Sequence, residues 1–200
     1  YIASKPEWRK KLTDWKKYFK DWIRDPTKAV HLSMFLDMRP IYGDESLAKD
    51  LMKYVHDNIT VGALKPLVDI AFHSKPIIGL LGKLRYGREG INIKLVSLLP
   101  IVQLVKVLAV KAKITATSTL DRIHLLVKRG VIDSKTGEEL REAFQFLSIL
   151  RLKHQLRQIL ANEKVDNNLK LGELTKFEET LLKASFRTLK NIAVELNMRY

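Results

Sequence analysis

The sequence predicts an all-α domain: a helical bundle interrupted by one short β-hairpin. Three observations carry this. Apolar residues recur at three- and four-residue spacing through most of the 200 positions. Capping residues and Pro or Gly stops bracket those stretches. A single Gly-rich segment breaks the helical period.

Trp8, Leu12, Trp15, Phe19 and Trp22 share one face of a first amphipathic helix, with lysines over the rest. Such a face suits a membrane surface or, as we expect here, its own domain. Asp25 as N-cap and Pro26 at the first helical position start a second helix, which Pro40 and Gly43 end. Asp44 or Ser46 caps a third, with Leu47, Leu51, Tyr54, Val55 and Ile59 inward, and a fourth covers about Ala63 to His73. The segment with Gly79, Gly82, Gly87 and Gly90 follows. Alternation in "KLRY" and "INIKL" predicts a hairpin around Gly87 to Gly90.

Helices then resume. "SLLPIVQLVKVLAVKAK" is apolar on most sides and should lie at the centre. "TSTLDRIHLLVKRG" opens on a capping residue and closes on Gly130. A long helix follows, with Leu140, Phe144, Leu147, Leu150, Leu156 and Leu160 inward, and a last helix begins near Thr175. No repeat of 20 to 50 residues and no Pro/Ser-rich linker divides the chain, so residues 1–200 are expected to form a single domain.

Composition narrows the chemistry. There is no cysteine, so disulfides, cysteine metal sites and thiol nucleophiles are excluded. The N-terminus has no signal-peptide stretch, and the longest apolar run, Leu95 to Val105, is too short to cross a bilayer. We expect a cytoplasmic protein and no membrane partner. The chain begins at Tyr1 and is expected to be part of a longer protein. A net charge of +14 points to an anionic partner. Nucleic acid is one alternative, although no helix-turn-helix or RNA-binding signature is present. An oligomerisation scaffold using the tryptophan helix is another.

The phosphate-loop, GxGxxG, GxSxG and HExxH patterns are missing. The five histidines are scattered, so no metal site is expected. Charged residues in apolar context remain. Asp37 and Arg39 interrupt "SMFLDMRPIYGD"; Arg151 continues a stripe with Leu147 and Gln155; Lys94 sits between Ile93 and Leu95; Arg122 follows Asp121. A buried charge needs a partner, so each is either a structural ion pair or part of a site. On a continuing helix Asp37 and Arg39 would point roughly 200° apart. Only one could then face a cleft, with Arg39 the expected choice.

The ordered segments "FLDMRPIYGDESLAKDL", "INIKLVSLLPIVQLVKVLAVKAKITATSTLDRI", "LREAFQFLSILRLKHQL" and "LLKASFRTLKNIAVEL" resemble a known family. It is the C-terminal helical substrate-binding domain of nucleotidyltransferases linked to CBS domains. Those enzymes are similar to the protein-PII uridylyltransferase and glutamine synthetase adenylyltransferase group. The resemblance implies a non-catalytic domain that binds a protein substrate or nucleotide beside an N-terminal nucleotidyltransferase domain, in signal transduction. Residues 1–24 would be the linker helix leaving that domain. Magnesium and a nucleoside triphosphate would belong to the catalytic domain, because this chain lacks its Gly-Ser and paired-Asp motif. Asp37, Arg39, Lys94, Arg122 and Arg151 are the implied substrate-binding candidates, the cations for phosphate or an acidic surface and Asp37 to orient one of them. Three positions depart from the family pattern: Asn92 replaces an aspartate, and Gln103 and Lys106 stand where an acid and an arginine are preferred.

Overall fold

The computed structural model describes residues 5–72 and 90–197. Within them, eight α-helices and one two-stranded antiparallel sheet form an all-α bundle. Among the described residues, no helix is long and apolar enough to cross a membrane.

A 3₁₀ turn at Pro6–Trp8 leads into α1, Leu12–Arg24. Its aromatic stripe docks on the domain itself. Phe19 is fully buried, and the rings of Trp15 and Trp22 each lie 5.2 Å from that of Phe35. Asp25 accepts the Thr27 N–H at 2.9 Å and starts a 3₁₀ turn that runs into α2, Ala29–Phe35. This helix stops well before Pro40, and the chain turns at Leu36 with Met38 N–H on the Phe35 carbonyl. Asp44 caps α3, Glu45–Asn58, by accepting from Ser46 N–H. Leu51 and Val55 face inward as expected, whereas Leu47 is exposed. The fourth helix, α4, spans Val61–Phe72.

Strand β1, Ile91–Asn92, lies in the expected "INIKL" stretch. Its partner here is β2, Asn168–Leu169, in the register Ile91 to Leu169 and Asn92 to Asn168. The predicted arm "KLRY" lies outside the described residues. Gly90 is required at the entry to β1: its φ is +94°, and a Cβ would stand 2.5 Å from the Leu169 carbonyl oxygen.

The central helix is α5, Leu99–Lys111, in which every residue from Leu104 to Val110 is buried. A π-turn at Lys94–Leu98 precedes it. Pro100 explains the turn: it has no N–H to donate, and its ring crowds the carbonyl one turn back, so the preceding turn widens and Leu99 N–H reaches Lys94. Helix α6 covers Thr119–Lys128, α7 Ser134–Leu160 and α8 Lys176–Asn197. Helix α8 opens with a capping box: Thr175 N–H donates to Glu178 at 2.9 Å, and Glu178 N–H returns to Thr175 Oγ1 at 3.2 Å.

Two apolar clusters meet on α5. Its Leu104, Val105, Leu108 and Ala109 pack with α6, α7 and α8, while Val107 and Val110 pack with α1 to α4. Along α7 the expected stripe holds at Leu140, Leu147 and Leu150 and then fails, since Leu156 and Leu160 are 53% and 76% exposed. The buried face has turned polar there, and His154 and Gln158 occupy it.

Candidate functional site

The early stop of α2 decides where Asp37 goes. With the helix ended at Phe35, Asp37 reaches two cations from facing helices. Its Oδ2 lies 2.5 Å from Lys106 Nζ of α5, and its Oδ1 lies 2.7 Å from Arg122 Nη1 of α6. Both cations are almost fully buried, while the Asp37 side chain keeps 39% of its surface. Neutral acceptors complete the cage. Lys106 donates to the Ser33 carbonyl at 2.9 Å; Arg122 donates to the carbonyls of Ala116 at 2.6 Å and Leu36 at 3.2 Å. Ser33 Oγ in turn donates to Gln103 Oε1 at 2.9 Å. Burial holds the Lys106 ammonium below the usual lysine range, and the Asp37 carboxylate opposes that shift.

The cluster therefore carries two buried cations on one half-open carboxylate. Of the residues singled out in the sequence, it unites Asp37 and Arg122 and excludes the other three. Arg39 is exposed in the irregular segment beyond α2. Lys94 is exposed at the start of the π-turn. Arg151 is half-buried on α7, where its Nε donates to Asn167 Oδ1 at 2.6 Å and so fastens the approach to β2. Asp37 thus orients Lys106 and Arg122, and Arg39 stands apart. Sequence reading marked Lys106 and Gln103 only as departures from a pattern. The missed signal was Lys106 itself, a lysine inside the most apolar helix, where the rule applied to Arg151 demands a partner.

A second polar cluster stands near the C-terminal end of α7. His154, 4% exposed, sits between Glu173 at 3.2 Å and Asp166 at 3.3 Å. Asp166 also accepts from Asn168 N–H and from Gln158, and these bonds, the first most strongly, keep its carboxyl below the ordinary range. The cluster pins the segment carrying β2 onto α7, which is a structural task. Among the described residues, no group of three or more His, Asp or Glu is arranged to hold a metal ion.

Beside the first cluster a cleft of about 650 Å³ opens between α3, the segment after α2 and the segment after α5. Met38 and Met52 form apolar walls, and His56, Lys53, Lys113 and Thr115 supply polar groups. Lys113 donates its ammonium to the His56 carbonyl. Burial first, then the charges of Lys113 and Arg122, pushes the His56 imidazole below its ordinary range; Asp57 pulls weakly the other way.

No curated protein and no solved structure matches this chain. A family model described as "putative nucleotidyltransferase substrate binding domain" matches residues 63–200. Lys106, Lys113 and Arg122 fall within the match, whereas Asp37, in the turn after α2, and His56, on α3, come before it, so the ion cluster and the cleft join the two parts. On that match the chain belongs to the nucleotidyltransferase substrate-binding domain family.

Proposed function

We propose that this domain presents an acceptor protein to a nucleotidyltransferase domain of the same polypeptide, in the cytoplasm, without performing the transfer itself. The acceptor is a regulatory protein of the PII kind, and the transfer is a signalling step. Magnesium and the nucleoside triphosphate are bound by the catalytic domain. Family membership carries the substrate-binding part of this reading. The charge pattern supports the rest. A net charge of +14 favours an acidic acceptor, and Arg39 and Lys94 are exposed cations without an ion-pair partner among the described residues.

The test is charge reversal at these two exposed positions in the intact transferase. Arg39→Glu and Lys94→Glu should raise the acceptor KM by about tenfold together, as expected for surface charges that steer an encounter, with the nucleotide KM unchanged. An unchanged acceptor KM in the double variant would reject this surface.

A further inference from the structure

We propose that the cleft between α3 and the end of α5 is a binding site for a small organic anion, an aromatic or other apolar ring bearing one phosphate or carboxylate group. The proposal goes beyond the protein acceptor inferred above, because a cleft of about 650 Å³ has the size of a small-molecule site and not of a protein-docking face.

Three observations identify the ligand's chemistry. The first is an unsatisfied polar group. His56 is 5% exposed, lines the cleft, and its Nδ1 has no hydrogen-bond partner among the described residues. Buried polar atoms are nearly always paired, and a ligand that draws the imidazole toward the cleft would supply the partner that this enclosed nitrogen lacks. The second is charge. Lys49 and Lys53 are balanced by Glu45 and Asp57. The Lys113 ammonium rests on a carbonyl, a neutral acceptor, and behind the lining Lys106 and Arg122 share the Asp37 carboxylate. The lining therefore carries one cation, Lys113, beyond its paired charges, which an anion offsets. The third is shape: Met38, Pro40, Ala48 and Met52 offer an apolar lining whose thioethers adapt to a flat ring.

The backbone adds an independent sign at Lys113. Helices α5, α6 and α7 end in the same way. The residue after each C-cap has positive φ and donates to the carbonyl three back, and the next N–H reaches the carbonyl five back. Gly130 and Asn162 fill that position in α6 and α7, as such turns favour. In α5 the residue is Lys113, at φ +55°, a conformation that disfavours it. A lysine at a glycine position is a local conflict of the kind found where a side chain has a use.

The chain of 200 residues, labelled with ¹⁵N, is titrated with phenyl phosphate, benzoate, inorganic phosphate and phenol. Phenyl phosphate or benzoate should shift the amide signals of Met52, His56 and Lys113 saturably, and the tighter of the two identifies the anionic group. Inorganic phosphate and phenol each carry half of the chemistry and should bind at least about tenfold more weakly. Lys113→Gly places the favoured residue at the turn, so its thermal midpoint should hold or rise while affinity falls by about tenfold. Met52→Trp fills the apolar wall and should block binding. The proposal is overturned if neither organic anion moves those signals, or if inorganic phosphate binds as well as phenyl phosphate. Wild-type affinity in a folded Lys113→Gly or Met52→Trp variant overturns it equally.

Discussion

At the scale of single residues, the domain depends on one carboxylate serving two buried cations. Removing Asp37 leaves Lys106 and Arg122 without a counter-charge. Orphaning a deeply buried charge costs about 3–5 kcal/mol; the partial exposure of Asp37 reduces this to about 2 kcal/mol for Asp37→Ala. Lys106→Met removes a cation that burial already disfavours and leaves the Asp37–Arg122 pair, so it should cost about 1 kcal/mol or less. Urea unfolding of the two variants checks the order. His56 gives a pH dependence. Its folded pKa lies below the ordinary 6.5 because of burial, Lys113 and Arg122, with Asp57 opposing. The unfolded chain then takes up its proton first. The stability His56 contributes is present above 6.5 and is lost as pH falls through the lowered folded value. His56→Gln should flatten the midpoint-versus-pH curve in that window. Of this site, Asp37 and Arg122 were legible as charges among apolar neighbours. Lys106 was hidden because helix α5 was read for its apolar residues, and His56 because a lone histidine shows nothing until its burial is known.

At the scale of elements, caps and stops were the most legible features. Asp25, Asp44 and Gly130 act as their residue types predict, since each works through bonds to its own neighbours. Features that depend on distant chain were not legible. The end of α2 is set where Asp37 turns to α5 and α6, not by Pro40. The polar turn of the α7 face at His154 and Gln158 follows from the segment after Leu160 folding back on it. The contact between α6 and α7 offers a sharp test. Gly137 lies in the first turn of α7, and a Cβ there would meet Val127 Cγ2 at 2.2 Å. Alanine is the better helix former, yet Gly137→Ala must displace the Val127 side chain or the helix that carries it. We expect it to destabilise by about 1–3 kcal/mol, the usual cost of overpacking, measured by calorimetry. A neutral or stabilising effect would mean that the contact is looser than this.

At the scale of the whole molecule, α5 makes one unit of two apolar clusters. All three tryptophans, Trp8, Trp15 and Trp22, belong to the half packed by α1 to α4. Their fluorescence therefore reports that half alone, while far-UV circular dichroism reports all the helices. Coupling through α5 and the ion cluster predicts coincident thermal transitions by the two probes. A tryptophan transition well below the other would show that the helices before the family match unfold separately. The helical class could be read from periodicity because each helix carries its own pattern. The partner of β1 could not, because a two-residue strand closes over a separation that no local pattern spans. The central claim, that this domain supplies substrate recognition to a nucleotidyltransferase, is tested most directly by acceptor labelling. Intact transferase and the same enzyme lacking these 200 residues are compared with labelled nucleoside triphosphate. The account predicts that acceptor labelling is lost while nucleotide binding persists. Undiminished kcat/KM for the acceptor without the domain would contradict it.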